Sequence, residues 1–120
     1  MPNLSKKGSE HFESAQLLQS HQRYRDAVSR AYYAIYTEVA NWLGGGKWNH
    51  RSIRRAFAQK MHEKGIPNQH ARHLNNRFFR ALEARVAADY SLDEVTTEIV
   101  EEIFEIAQTI FTFLEDEVIL

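Results

Sequence analysis

Apolar side chains recur at spacings of three and four residues along most of this chain, and this period constrains the fold more than any other feature. The clearest segment carries Val28, Tyr32, Ile35, Val39 and Trp42. Such spacing marks one face of an α-helix, whereas no segment shows the alternation of apolar and polar residues typical of a half-buried strand. The sequence therefore predicts an all-α fold.

Breaks in the pattern divide the chain into five predicted helices. Gly44-Gly45-Gly46 ends the second, Gly65 and Pro67 end the third, and Ser91 with Glu94 forms a capping box that predicts the start of the fifth. The predicted bounds are Asn3–Ser20, Tyr24–Leu43, His50–Glu63, Asn68–Asp89 and Leu92–Glu117. Short connections predict a five-helix up-and-down bundle, and 120 residues predict one domain, 1–120, around one core.

The predicted fifth helix has an unusually wide apolar face. Two adjacent stripes make it up: Ile99, Ile103, Ile106, Ile110 and Phe113, then Val100, Phe104, Ala107, Phe111 and Leu114. This is more than one helix neighbour usually covers. We therefore expect part of the face to be buried against a second subunit, which favours a homodimer.

The net charge of −1 conceals two oppositely charged segments. From Lys47 to Arg80 there are nine Lys or Arg and one acid, Glu63, whereas residues 81–120 hold eleven acids and one base, Arg85. The basic segment can attract phosphate groups of a nucleotide or RNA. Equally, the two segments can pair with each other within the chain or across a dimer, and the sequence leaves both interpretations open.

The absence of cysteine from the chain excludes disulfides and thiolate metal sites. No run of about 18 apolar residues occurs, and Met1–Glu13 carries polar residues along its whole length, unlike a signal peptide. We expect a cytoplasmic protein with no membrane partner. The six histidines lack metal-binding spacing, so we also predict no metal site and no cofactor.

Arg85 occupies a position that periodicity reserves for an apolar side chain. The same row of the predicted fourth helix carries Ala71, Leu74, Phe78, Ala81 and Leu82. Asp89 lies four residues on and can form an intrahelical ion pair with Arg85, while Tyr90 is rotated from Arg85 by about 140°. One interpretation is purely structural. The other is a binding site, because a guanidinium in an apolar row is tolerated mainly when it meets a carboxylate, a phosphate or a partner subunit.

Three motifs, taken together, resemble the HEPN family (higher eukaryotes and prokaryotes nucleotide-binding domain). They are Ala31-Tyr32-Tyr33-Ala34-Ile35-Tyr36, then His50 after a glycine-containing loop, and then Arg85-Val86-Ala87-Ala88-Asp89-Tyr90. The resemblance implies an all-helical fold. It also implies a role beside a separate minimal nucleotidyltransferase in a two-component toxin–antitoxin or defence system, which is the function we favour.

The resemblance also implies a second function, that of a metal-independent ribonuclease. In HEPN ribonucleases an arginine is followed after four to six residues by a histidine, at a two-fold dimer interface. Here Tyr90 stands five residues after Arg85, and tyrosine is a poor base at neutral pH. His50 or Tyr90 would have to replace the missing histidine. A third possibility is a structural dimerisation domain.

We expect a cleft centred on Arg85. Tyr32 falls on the core side of its predicted helix, whereas Tyr33 and Arg30 are placed to line the cleft, and His50 can reach it from the start of the third helix. The predicted residues that bind a nucleotide or phosphate are Arg85, Asp89, Tyr90, Tyr33, Arg30 and His50. A surface histidine near a helix start remains the alternative for His50.

Overall fold

Five α-helices account for most of the structure, a computed structural model that describes the backbone of residues 4–119 and the side chains of residues 4–117. The helices are α1 (Lys6–Ser20), α2 (Tyr24–Trp42), α3 (His50–Glu63), α4 (Asn68–Tyr90) and α5 (Thr97–Ile119). No strand occurs within residues 4–119. The predicted all-α, five-helix architecture is confirmed.

The first four helices lie close to their predicted bounds. Helix α3 begins at His50 as predicted, since the Asn49 side chain accepts a hydrogen bond from the backbone N–H of Ser52 at 2.8 Å and the Ser52 hydroxyl completes the capping box. Helix α1 begins three residues later than predicted, because Ser5 caps it. The predicted first residue, Asn3, lies outside the described residues.

The predicted start of α5 is wrong by five residues. Ser91 and Glu94 do not cap this helix; instead the Ser91 hydroxyl accepts from the backbone N–H of Asp93, which makes a local turn. Thr96 takes the capping role, with its hydroxyl oxygen 3.3 Å from the backbone nitrogen of Ile99. Residues 91–96 are therefore a connecting loop.

Helix α2 lies at the centre of the bundle. It packs against α1, α4 and α5, and it touches α3 only slightly, because α3 packs mainly on α4. The core is built from aromatic and branched aliphatic side chains of all five helices, and its largest fully buried members are Tyr32, Phe57, Phe78, Phe111, Ile35, Ile53, Met61, Leu74, Ile103, Ile106 and Ile110. The predicted core position of Tyr32 is confirmed.

The wide apolar face of α5 is covered within the chain itself. Its buried residues are Val100, Ile103, Ile106, Ala107, Ile110, Phe111, Phe113 and Leu114, while Ile99 and Phe104 are half-buried. Both stripes are needed because α5 contacts α2 and α4 together. Eight of the ten residues of the two stripes are thus buried within the chain, so the width of this face does not itself indicate a second subunit, and the homodimer stays a prediction.

One ion pair joins the basic segment to the acidic segment. The Arg80 guanidinium donates to both oxygens of Glu102, at 3.0 and 2.8 Å, and this links α4 to α5. The side-chain hydrogen bond from Arg80 lowers the pKa of Glu102. Pairing between the two segments thus occurs at this position, while most other bases of the basic segment stay free of ion pairs among the described residues.

None of the five helices, within the described part of the chain, combines the length and apolar character needed to cross a membrane.

Candidate functional site

Two tyrosines of α2, Tyr32 and Tyr36, hold the start of α3 beside them. The buried Tyr32 hydroxyl lies 2.7 Å from Nδ1 of His50, the first residue of α3. The Tyr36 hydroxyl donates to the Trp48 carbonyl at 2.6 Å and accepts from the Trp48 backbone N–H at 3.2 Å. These bonds hold the loop and His50 against α2, although α2 and α3 share few other contacts.

The Tyr32–His50 pair is electrically neutral at pH 7. Burial, and then the positive charge of Arg85, lower the pKa of His50 below its usual 6.5. Burial, followed by the neighbouring Tyr33, raises the pKa of Tyr32 well above its usual value. The pair is therefore a phenol and an imidazole joined by a hydrogen bond whose direction depends on the imidazole tautomer.

Arg85 of α4 lies close enough to this pair for its charge to act on both groups, and only 16% of its side chain is exposed. Its Nε atom is 2.9 Å from Oδ2 of Asp89, so the predicted ion pair at a spacing of four residues is present. The guanidinium carbon lies 5.4 Å from the centre of the Tyr33 ring, within the range of a cation–π contact. Arg85 is thus held between a carboxylate and an aromatic face.

The hydrogen-bonding capacity of Arg85 is largely unused. Its Nε is buried and has no hydrogen-bond acceptor among the described residues, so the contact with Asp89 is an ion pair without hydrogen-bond alignment. A guanidinium carries five N–H donors arranged for planar oxyanions. The arrangement can therefore accept a phosphate or a carboxylate from outside the chain.

Arg30 is connected to the cluster through His11, a residue that was not among the predicted site residues. Its Nη1 lies 3.4 Å from Nδ1 of His11, and the His11 ring lies 6.2 Å from that of Tyr33. Burial, and then the charges of Arg30 and Lys7, lower the pKa of His11. The sequence does contain an indication that His11 faces the bundle, because His11 falls in the apolar row of α1.

Arg54 of α3 is a second residue that sequence reasoning missed. Its guanidinium carbon lies 4.1 Å from the centre of the Phe79 ring, and its Nε is buried without a hydrogen-bond partner among the described residues. Its positive charge also acts on the Tyr32 hydroxyl, where it opposes the effect of burial. Arg54 therefore adds a further cation near the site.

The structure does not bring every predicted residue into the cluster. Arg85, Asp89, Tyr33 and His50 lie together, and Arg30 joins them through His11. Tyr90 is the exception, because it is the last residue of α4 and is 77% exposed. The reason is geometric, since five residues of helix rotate it away from Arg85.

Among the described residues, no three His, Cys, Asp or Glu side chains are grouped so that they could hold a metal ion.

These features define an all-α protein with an arginine-centred polar site enclosed by α2, α3 and α4. The family model of the HEPN domain matches residues 1–117, almost the whole length of the chain. The chain belongs to the HEPN family. No curated protein matches this sequence.

Proposed function

We propose that the Arg85-centred site binds a phosphate group of RNA or of a nucleotide, and that the chain is the HEPN component of a two-component system with a minimal nucleotidyltransferase. One observation carries the phosphate proposal: the Arg85 guanidinium is held beside Tyr33 with most of its donors unused. Membership in the HEPN family supports a nucleotide-related or ribonuclease function. The nucleotidyltransferase partner rests on the resemblance alone.

The charge balance around the site favours an anion. Three guanidinium groups, those of Arg30, Arg54 and Arg85, lie around Tyr32 and Tyr33. Two carboxylates act on the same cluster, that of Asp89 on Arg85 and that of Glu10 on His11. Asp89 engages the Nε side of Arg85, which leaves the Nη atoms for a ligand. A phosphate bound there would make short charge-assisted hydrogen bonds, and the Tyr33 ring offers a surface for a base.

The binding test uses a fluorescent single-stranded RNA in buffer with EDTA. We expect Arg85→Gln to weaken binding about tenfold, because a charge-assisted contact is lost. Arg85→Lys should retain part of the affinity, since lysine keeps the charge but not the planar fork. The matched control is Arg23→Gln, which removes the same charge from an exposed arginine.

The outcome separates the candidate functions. Equal affinity of the Arg85→Gln and Arg23→Gln proteins would contradict phosphate binding at this site. If Arg85→Gln also left RNA cleavage unchanged, the structural dimerisation function would be favoured instead. A stable complex with a minimal nucleotidyltransferase, measured by size-exclusion chromatography with light scattering, tests the partner independently of Arg85.

A specific observation supports ribonuclease activity as the second candidate. His50 is a neutral imidazole beside Arg85, anchored through Nδ1 to the Tyr32 hydroxyl. If Nδ1–H donates to Tyr32, the Nε2 lone pair is free to take the proton of a ribose 2′-hydroxyl. Arg85 would then stabilise the charge that develops on the phosphate.

Cleavage of RNA in the presence of EDTA tests this candidate. We expect His50→Asn to abolish cleavage while preserving RNA affinity, because asparagine cannot act as a base. His21→Asn, at an exposed histidine of the α1–α2 turn, is the matched control. Cleavage that survives in His50→Asn would exclude His50 as the base.

We also propose that the protein forms a homodimer through the exposed apolar residues of α4. Phe79, Val86 and Tyr90 follow one another at spacings of seven and four residues and are 39%, 42% and 77% exposed. They thus share one helix face, which lies about 120° around α4 from Arg85. A second copy of the chain on this face would cover these apolar side chains.

A further inference from the structure

The buried Tyr32 hydroxyl has one hydrogen-bond partner among the described residues, Nδ1 of His50 at 2.7 Å. Tyr32 is only 1% exposed, so bulk solvent offers the hydroxyl no ready alternative. Burial also raises the pKa of Tyr32, and the phenol therefore keeps its hydrogen at neutral pH. That hydrogen needs an acceptor inside the protein, and Nδ1 of His50 is the atom placed to accept it.

The two neutral tautomers of His50 satisfy this hydroxyl unequally. When the ring hydrogen is on Nε2, Nδ1 carries a lone pair and accepts from the Tyr32 hydroxyl, so both groups are paired. When the ring hydrogen is on Nδ1, that nitrogen donates to the Tyr32 oxygen, and the hydroxyl hydrogen stays buried without an acceptor. Hydrogen-bond satisfaction therefore favours the tautomer with the hydrogen on Nε2.

The charges around the pair favour the same arrangement. The positive charges of Arg85 and Arg54 both act on the Tyr32 hydroxyl. A hydroxyl dipole orients in such a field with its oxygen toward the cations and its hydrogen away from them. Among the described residues, Nδ1 of His50 is the acceptor that this hydrogen then reaches.

Nε2 of His50 is the accessible nitrogen of the ring. It makes no hydrogen bond among the described residues, and the buried unpaired atoms there belong to Arg54, Asn75 and Arg85 instead. The positive charge of Arg85 acts on the His50 ring, so the two side chains are neighbours. An N–H group at Nε2 is therefore available to a ligand beside the Arg85 guanidinium.

We propose that Tyr32 is a positioning residue that fixes His50 with its hydrogen on Nε2, so that His50 presents a hydrogen-bond donor, and not a base, beside Arg85. The consequence for ligands rests on the function proposed above. A group that binds both side chains must be an acceptor, such as a fully ionised phosphate oxygen. The ribonuclease candidate needs the opposite tautomer, because a base at this position uses the lone pair of Nε2. The inference therefore favours a binding module.

The experiment records long-range ¹H–¹⁵N correlations of the histidine rings in ¹⁵N-labelled protein without RNA, at about pH 8, where His50 is neutral. The His50 signals are those missing from the spectrum of His50→Asn, and the ¹⁵N shift of each ring nitrogen reports whether it carries a hydrogen. We expect at least about a fivefold excess of the Nε2–H form, because the other form leaves a buried hydroxyl unpaired. A hydrogen on Nδ1, or equal populations of the two forms, would overturn the proposal.

Tyr32→Phe separates the positioning role of Tyr32 from any preference of the ring itself. It removes the hydroxyl and keeps the buried ring, so the excess of the Nε2–H form should fall about threefold. Tyr24→Phe is the matched control, because it makes the same change about 12 Å earlier along α2 and should leave the tautomer unchanged. An unchanged tautomer in Tyr32→Phe, or equal changes in both variants, would refute the role of Tyr32. If Tyr32→Phe does not fold, the spectrum of the unmodified protein still decides the tautomer.

Measurements with RNA distinguish this inference from the function proposed above. The tautomer is measured without ligand, so the effect of Arg85→Gln on RNA affinity tests the phosphate site alone. If Arg85→Gln binds RNA as the unmodified protein does while His50 carries its hydrogen on Nε2, the phosphate proposal fails and the role of Tyr32 stands. RNA cleavage in EDTA that is lost in His50→Asn at unchanged RNA affinity would show that His50 acts as a base, and would overturn this inference.

Discussion

The Arg85 side chain is stabilised by two contacts of different kinds. A guanidinium with 16% of its side chain exposed loses much of its hydration, and this loss must be offset by partners. The Asp89 carboxylate neutralises the charge, and the Tyr33 ring presents its electron-rich face. Neither contact uses the outer N–H groups, and so stability and ligand binding do not compete for the same donors.

The pKa of His50 reports on the field of Arg85. Burial comes first among the causes that lower this pKa, and Arg85 comes second. We predict that an NMR titration of the His50 ring gives a pKa below 6.5, and that Arg85→Gln raises it because the nearby positive charge is removed. Arg23→Gln, which removes a remote charge, should not raise it.

The same shift has a consequence for stability. Since the folded state has the lower pKa, the unfolded state takes up the proton first as the pH falls below 6.5. The stability contributed by neutral His50 is therefore present above pH 6.5 and is lost as the pH falls toward the folded pKa. A His50 pKa at or above 6.5 in the folded protein would show that burial and Arg85 do not act as described.

Gly8 is required by a close contact rather than by its backbone conformation. The Glu38 carboxylate, 9% exposed, accepts from the Ser5 backbone N–H at 2.8 Å and from its hydroxyl at 2.6 Å. A Cβ atom on Gly8 would lie 2.6 Å from Oε2 of Glu38. We predict that Gly8→Ala destabilises the protein by about 2 kcal/mol in urea unfolding, because Glu38 must shift and release Ser5.

The control for Gly8→Ala is the same substitution made in a protein that also carries Glu38→Ala. In an ordinary helix interior, Gly→Ala stabilises by about 1 kcal/mol. When Gly8→Ala is introduced into a Glu38→Ala protein, the contact with Glu38 is gone and only the Ser5 hydroxyl, 3.1 Å from the added Cβ, remains close, so the substitution should become less destabilising or stabilising. Stabilisation by Gly8→Ala in the unmodified protein would contradict the contact with Glu38.

At the scale of elements, Arg25 of α2 secures the connection between α4 and α5. Its guanidinium donates to the carbonyls of Ala88 at 2.8 Å, of Ser91 at 2.9 Å and of Asp93. We predict that Arg25→Met lowers the free energy of unfolding by about 2 kcal/mol, because three hydrogen bonds from a charged donor, two of them part-buried, are removed. Urea unfolding measures this loss, and hydrogen exchange should increase in residues 91–96.

Arg23 provides a matched comparison two residues away. It forms an ion pair with Asp26 at 3.1 Å, and their side chains are 67% and 54% exposed. Exposed pairs of this kind contribute about 0.5 kcal/mol, so Arg23→Met should change the stability little. Similar losses in both variants would mean that the three carbonyl contacts of Arg25 contribute no more than a surface charge.

The helix bounds show where local signals suffice and where they do not. The Asn49 cap and the glycines after α2 act within a few residues, and the sequence predicts the start of α3 and the end of α2 to within one residue. The predicted start of α5 is wrong because Arg25, more than sixty residues earlier, donates hydrogen bonds to backbone carbonyls at the α4–α5 connection. Such a contact leaves no local pattern.

At the scale of the whole molecule, the site also combines contacts that the local sequence predicts with contacts that it does not. The pairing of Arg85 with Asp89 follows from helix geometry and is predictable from spacing. The approach of His11 to Tyr33 and of Arg54 to Phe79 depends on how the helices pack, and spacing within one helix does not contain that information. Helical rotation also explains why Tyr90 stays outside the cluster.

At the scale of the whole molecule, the proposed homodimer uses the exposed apolar face of α4. Phe79, Val86 and Tyr90 are the large exposed apolar residues on that face. We predict that the unmodified protein sediments as a dimer and that Val86→Asp sediments as a monomer with unchanged helical content. The physical reason is that a carboxylate buried in an apolar interface lacks a partner on the facing copy.

The control for the dimer face is Leu17→Asp. Leu17 of α1 is 61% exposed, and its substitution introduces the same charge on a different helix. This variant should remain dimeric. A monomeric unmodified protein, or equal dissociation of both variants, would contradict dimerisation through α4. If Val86→Asp is monomeric and also loses RNA cleavage while still binding RNA, then the two copies form a shared catalytic site. If the monomer binds RNA as before and neither protein cleaves it, the dimer instead supports a binding module in which each copy acts alone.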